Sequence, residues 1–253
     1  MADGAHLARI VRHPVKSIGY EELPEVSLAA GAPLPMDRVW AVAHAAAGFG
    51  GDPDGWVPKL NFVRGVAGPA LMAVRAATDA ETGRLRLTHP DRPALDIDPD
   101  TPADAARLLD WLRPLWPDNR PAPARLVRAP GSALADNPEP WVAVLSLASL
   151  RDLSARMGLD LSIHRWRGNL WLEGLAPWSE FDLVGREISV GPARLRIEAA
   201  ITRCEATGAN PETGRRDADT LGALEGAFGH RDFGVFARVV GGGTVRRGDP
   251  VIL

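Results

Sequence analysis

Short alternations of apolar and polar residues dominate this chain, and only three stretches carry a helical period. Leu7 to Val11, Glu22 to Leu28 (around Leu23, Val26 and Leu28) and Asp37 to Val42 predict three early strands, with His13-Pro14 breaking the first. A Gly-rich segment from Gly48 to Gly55 leads into Trp56-Val57-Pro58-Lys59-Leu60-Asn61. Leu71 to Ala76 and Arg84 to Thr88 predict a hairpin across Asp79-Ala80-Glu81-Thr82-Gly83. The first helix follows, with Thr101 as N-cap, Pro102 in its first turn, Asp104 near its positive end, and Ala105, Leu108, Leu109 and Leu112 on one face.

Four prolines between Pro114 and Pro123 predict a linker, dividing the chain into residues 1–120 and 121–253. The second part opens with a strand at Arg125 to Arg128, a loop through Asp136-Asn137-Pro138 and the apolar run Trp141 to Leu145. Ser146 reads as the N-cap of a helix that buries Leu147, Leu150 and Leu153 and stops at Gly158. Further strands are expected at Asn169 to Leu172, Glu187 to Val190, Arg194 to Glu198, Phe233 to Val240 and Pro250 to Leu253, with a short helix at Thr220 to Phe228. Gly241 to Gly243 and Arg247-Gly248-Asp249 read as turns. Many short strands and few helices predict a mainly β fold, β-barrel-like in each half.

Composition narrows the function. A net charge of -3 and the absence of a Lys/Arg block argue against a nucleic-acid partner. A single cysteine excludes a disulfide framework or an iron–sulfur cluster within the chain, and no flavin or haem signature is visible. No apolar run is long enough for a membrane span and no secretory signal appears, so a cytoplasmic protein without a membrane partner is expected. Of the 29 basic residues only Lys16 and Lys59 are lysines, marking two positions where a compact point charge stands in place of a planar fork.

The chemistry gathers around Thr202-Arg203-Cys204. The lone cysteine ends an alternating strand, Ala193 to Ala199, and precedes the turn Asn210-Pro211-Glu212-Thr213-Gly214. A thiol at such a junction beside Arg203 is suited to act as a thiolate, whether nucleophile, sulfur carrier or soft metal ligand; equally, a lone cysteine can be a small buried apolar side chain. The histidines do not fall at metal-ligand spacing, and the chain lacks a Walker loop, a G-x-S-x-G elbow and a G-x-G-x-x-G fingerprint. His230-Arg231-Asp232-Phe233-Gly234 merges letters of two kinase motifs without their context. What remains is a set of basic and small polar residues at strand ends: Lys16-Ser17, Arg38, Ser146, Arg165-Trp166-Arg167-Gly168-Asn169 and Thr202-Arg203. Together with Cys204 they suit an anionic ligand.

In order along the chain, Pro14-Val15-Lys16-Ser17, Asp37-Arg38, Ser146-Leu147-Ala148-Ser149-Leu150, Arg167-Gly168-Asn169, Thr202-Arg203-Cys204, Asn210-Pro211-Glu212-Thr213-Gly214 and Gly248-Asp249-Pro250-Val251 resemble the MOSC family. More narrowly, the chain is similar to the subgroup with an N-terminal MOSC β-barrel domain, to which the mitochondrial amidoxime-reducing components and their bacterial relatives belong. The resemblance implies an N-terminal MOSC β-barrel domain followed by a MOSC domain. It also implies a molybdenum cofactor (molybdopterin with molybdenum), with Cys204 as metal ligand and catalytic residue. Lys16, Ser17, Arg38, Ser146, Arg167, Asn169, Thr202 and Arg203 would hold the pterin and its phosphate. The implied activity is reduction of an N-oxygenated small-molecule substrate, with electrons from a separate reductase or ferredoxin-type partner. MOSC domains also end the molybdenum cofactor sulfurases, so a carrier of the cofactor, or of a persulfide on Cys204, is the alternative. The chain departs from the family at Trp56 to Asn61, where Thr-x-Arg-Gln-x-Pro is common and Lys59 replaces a lost Arg, and at His13, where a Tyr is usual.

Overall fold

The computed structural model describes residues 4–79, 81–128 and 133–253; Ala80 of the expected hairpin turn and the first three residues lie outside them. In chain order the strands are β1 (His6–Arg12), β2 (Glu21–Leu23), β3 (Glu25–Leu28), β4 (Trp40–His44), β5 (Arg75–Thr78), β6 (Leu85–His89), β7 (Arg92–Ile97), β8 (Pro123–Arg128), β9 (Val142–Ser146), β10 (Leu170–Glu173), β11 (Glu187–Val190), β12 (Ala193–Thr202), β13 (Asp232–Gly241), β14 (Gly243–Arg246) and β15 (Val251–Ile252). Three α-helices interrupt them: α1 (Pro102–Leu112), α2 (Leu147–Met157) and α3 (Thr220–Phe228). The fold is mainly β.

Eight strands form one sheet in the order β15-β11-β12-β13-β9-β10-β1-β2, antiparallel except for the β9–β10 pair. This sheet curls so that the start of β1 meets the chain leading into β15. Leu7 N–H donates to Asp249 O (2.9 Å), Gly248 N–H to Leu7 O (2.8 Å) and Val251 N–H to Ala5 O (2.7 Å). The two strands are joined by a single bridge, His6 with Pro250, rather than by a ladder. Alternation explains why Val142 and Val144, Leu195 and Ile197, and Val235, Ala237 and Val239 share one core, and an irregularity between Leu7 and Arg9 lets Leu7 join Ile10 there. Val11, Ala143, Leu145 and Trp171 face the other way, under Leu150 and Leu153 of α2 and Leu224 of α3, and a register shift between Asp232 and Val235 puts Phe233 with them. β9 is thus buried on both faces, which is why it reads as an unbroken apolar run.

A second core lies in the first half, where the β5-β6-β7 meander and α1 enclose Trp40, Leu87, Ile97, Leu108 and Trp111. The halves interlace. Leu115 and Trp116, in the proline-rich stretch, pack into this second core, and β8 beyond them pairs back with β4. Conversely β1 and β2 belong to the large sheet of the second half.

Three local expectations are corrected. The strand expected from Asp37 begins at Trp40, because Arg38 adopts φ 55° and the Asp37 carboxylate turns back to accept the His13 N–H at 2.7 Å. The strand expected from Leu71 is a 3-10 helix, Pro69–Ala73, and pairing starts only at Arg75; Pro69 sets φ for a first helical turn and has no N–H for a ladder. The Gly241 to Gly243 turn leads straight into β14, which pairs with β3. Both helical signals of the second half hold: Ser146 caps α2 by accepting the Ser149 N–H (3.3 Å), and Gly158 ends it at φ 64°.

Gly234 shows how the sheet makes room for a functional side chain. Its φ is 75°, and a Cβ there would lie 2.6 Å from Leu145 Cγ, 2.9 Å from Val144 O and 3.3 Å from an Arg203 guanidinium nitrogen. Gly234→Ala is expected to lower stability by about 1–3 kcal/mol in urea denaturation, combining an unfavourable backbone angle with overpacking. An unchanged midpoint would contradict this close fit.

Candidate functional site

A cavity of about 640 Å³ opens between the two halves, within the range of small-molecule sites. The first half contributes Lys16, Ser17, Arg38, Lys59, Arg64 and Met72; the second contributes the 135–139 loop, Arg165 to Arg167 and Ala200 to Cys204. Seven of the lining residues are Lys or Arg, against only Asp136 and Glu139 as acids, in a chain whose net charge is negative. That imbalance attracts an anion.

The cations are seated in a distinctive way. Arg167 donates to Gly19 O and Val15 O, both at 3.2 Å, while Arg203 donates to Trp166 O (2.7 Å) and Phe233 O (2.7 Å from Nε). Arg38 reaches Arg167 O at 2.9 Å and also pairs with Asp37. Carbonyl oxygens orient a guanidinium without neutralising it, so burial pushes Arg167 and Arg203 down; Arg38 adds to the effect on both, and Cys204 opposes it at Arg203. The Trp166 and Phe233 rings, stacked at 4.0 Å, lie under the Arg203 guanidinium at 5.8 and 5.9 Å.

Lys16 is buried and donates to Leu134 O (2.8 Å) and to Asp136 Oδ1 (2.6 Å). Burial lowers its ammonium to about 8 despite the nearby carboxylate. Burial alone would raise Asp136, but Lys16, with Lys59 at 3.2 Å from Oδ2, holds it at about 2. Beneath the site His13 is fully buried and, chiefly for that reason, pushed down to about 3, so it is neutral beside Asp37. Burial would raise Asp37, but Arg38 and His13 keep it below the ordinary carboxylate range.

Three of the five non-glycine residues with positive φ among the described residues, Ser17, Arg38 and Arg167, line this cavity. Such backbone is costly and collects where function fixes a side chain. Cys204 follows directly on the end of β12 and precedes a 3-10 turn, Glu205–Gly208; its thiol is exposed at the cavity.

Seven of the residues singled out from sequence, Lys16, Ser17, Arg38, Arg167, Thr202, Arg203 and Cys204, therefore meet on one cavity wall system. Thr202 is exposed there, and its hydroxyl donates a hydrogen bond to Asp232 Oδ1 (2.5 Å). Ser146 and Asn169 are not among the lining residues. Ser146 is buried as the α2 cap, and Asn169 is spent internally, accepting the Ala143 N–H at 3.0 Å and donating to Val11 O at 3.2 Å. Asn169 thus ties β1 to β9 behind Arg167. Sequence reasoning did not select Arg64, Asp136 or Trp141; each lies in a loop whose position depends on the long-range packing of the two halves.

A model of the MOSC domain matches residues 133–252, and a model of the MOSC N-terminal beta barrel domain matches residues 4–113. Among curated proteins, a molybdenum cofactor sulfurase of Anopheles gambiae is 30% identical over 129 residues, 46% of this chain and 16% of that protein. The mitochondrial amidoxime-reducing component 1 of Mus musculus is 31% identical over 122 residues, 44% of this chain and 35% of that protein. The chain thus spans well under half the length of either relative. The YUAD protein of Bacillus subtilis is similar in structure at a TM-score of 0.46 and 13% identity, covering 98% of this chain and 94% of that one, too weak a likeness to bear on the fold.

One cation of the set, Lys16, is expected to titrate in an accessible range. Sulfate, whose charge is constant there, should bind about tenfold more weakly at pH 9.5 than at pH 7 by calorimetry, as Lys16 loses its proton near 8 while the arginines stay charged. In Asp136→Asn the decline should move to lower pH, because that carboxylate raises the Lys16 pKa. A pH-independent affinity would contradict this electrostatic picture.

Proposed function

Because the chain is a MOSC-domain protein with a MOSC N-terminal beta barrel domain, we propose that its cavity binds a molybdenum cofactor and that the protein reduces N-oxygenated small molecules. The observation that carries this reading is the exposed Cys204 thiol on the same cavity as guanidinium groups left un-neutralised by their carbonyl partners.

The residues present fit such a group. A soft sulfur donor suits molybdenum, the cations suit a phosphate, and the buried indole N–H of Trp166, without a partner among the described residues, can donate to a heterocycle. Lys16, Arg38, Arg167 and Arg203 would hold the phosphate and pterin, with the free hydroxyl of Ser17 beside them, and Cys204 would ligate the metal. When bound, the cofactor supplies two-electron oxygen-atom chemistry. The chain's own contribution is electrostatic and steric. Arg203 sets a fixed positive charge next to Cys204. Trp166 and Phe233 close the floor of the site against water on the Arg203 side. Conversion of an N–OH to N–H and water takes two electrons and two protons; the electrons come from a separate redox protein, since one cysteine and no dinucleotide fingerprint leave the chain without a relay of its own.

A second reading has its own support in the exposure of Cys204 and in the sulfurase relative: a carrier that holds a persulfide or hands on the cofactor. Protein purified from a host that makes the cofactor separates the two. Near-stoichiometric molybdenum and pterin in the wild type, with molybdenum lost in Cys204→Ala, is the result expected. A Cys204 persulfide without molybdenum, seen by intact mass, would favour the carrier. No pterin in either protein would overturn both. With NADH alone the purified protein should not turn over benzamidoxime, and turnover would contradict the need for a partner.

A further inference from the structure

The proposed cofactor accounts for Lys16, Arg38, Arg167 and Arg203, and Asp136 accounts for Lys59. Two cavity-lining arginines remain. Arg64 is half-buried, and its side chain has no hydrogen bond or ion pair among the described residues. Arg165 is only 4% exposed; one terminal nitrogen meets Asp217 at 2.7 Å, but its Nε and Nη1 have no acceptor among the described residues. A buried N–H donor without an acceptor costs about 1–3 kcal/mol, so such a group is ordinarily completed by something the chain does not supply.

Both arginines flank the cysteine. Arg216 bridges the two walls there, donating to Val66 O (2.8 Å) and to Glu205 O (2.6 Å), so the strip that carries Arg64 is tied to the residue after Cys204. Gly65 on that strip is pressed against Met72, whose Sδ a Cβ would meet at 2.6 Å, and lies at ordinary contact distance from Ala206, 3.6 Å from the same position. Arg165 sits on the 3-10 helix Ile163–Trp166, which packs against the turn that follows Cys204, and its partner Asp217 is the neighbour of Arg216. The unpaired guanidinium of Arg64 and the partly satisfied one of Arg165, with two N–H-bearing nitrogens left over beyond its Asp217 pair, thus lie on segments tied to the turn of the thiol.

We propose that Arg64 and Arg165 form an anion subsite beside Cys204 and that the substrate of this protein carries a carboxylate. The cofactor and the substrate would then be held by separate sets of cations. The substrate class rests on the oxidoreductase reading; the subsite itself does not.

Calorimetry with benzoate and its neutral counterpart benzamide tests it, on protein purified with its cofactor. Wild type should prefer benzoate, and Arg64→Gln should reduce that preference about tenfold while Arg64→Lys restores part of it. Arg165→Gln should act in the same direction; if it unfolds, Arg64→Gln, at a half-exposed position, decides alone. Equal binding of the two probes, an unchanged preference in Arg64→Gln, or loss of pterin from that variant would overturn the subsite. A parallel comparison of kcat/KM for 4-carboxybenzamidoxime and benzamidoxime should show Arg64→Gln losing more on the acid. If neither compound is turned over with a suitable electron donor, the oxidoreductase reading fails, and the benzoate preference still decides the subsite.

Discussion

Positive charge held by backbone carbonyls is the constraint on which this structure turns. A guanidinium paired with a carboxylate is electrically finished, whereas one aimed by carbonyl oxygens keeps its charge and offers it to whatever enters. Arg167 and Arg203 are of the second kind. Both tie distant chain segments together: Arg167 reaches back to Val15 and Gly19 in the first half, and Arg203 joins Phe233 to Trp166 within the second. Much else follows from holding them there. Ser17, Arg38 and Arg167 take left-handed backbone, Gly234 leaves room under Arg203, and Gly168 is pressed so close to Leu145 that a Cβ would fall 2.2 Å from its Cδ1. The curled sheet supplies the rigidity that such backbone requires.

Set against that charge, the placement of Cys204 acquires meaning. An exposed thiol elsewhere on the surface would be a liability. Here it stands where β12 ends, next to Arg203, on a cavity whose lining is strongly cationic within an acidic protein. The same imbalance extends past the groups a phosphate-bearing cofactor needs, and it is this surplus, Arg64 and Arg165, that bears on the substrate.

Much of the fold was legible because strand alternation and capping are local. Ser146 and Gly158 marked both ends of α2, and Thr220 to Phe228 was read with the bounds it has. The failures share a cause. Arg38 left the strand because Asp37 was needed by His13, twenty-four residues away in sequence. β14 exists because β3 offers it an edge, a pairing between opposite ends of the chain. At the site, residues adjacent to Cys204 or in short motifs were found, whereas Arg64 and Asp136 come to the cavity through tertiary packing that no local pattern encodes. Ser146 and Asn169 illustrate the converse: a motif can mark residues that build the scaffold behind a site as readily as those that face it.

The central claim, a cysteine-ligated metal of an anionic cofactor seated on carbonyl-held cations, is tested most directly by X-ray absorption at the molybdenum edge of the purified protein. The account predicts one more sulfur ligand in the wild type than in Cys204→Ser, whose hydroxyl offers the metal the oxygen ligand that Cys204→Ala lacks. Equal sulfur counts in the two proteins would contradict it.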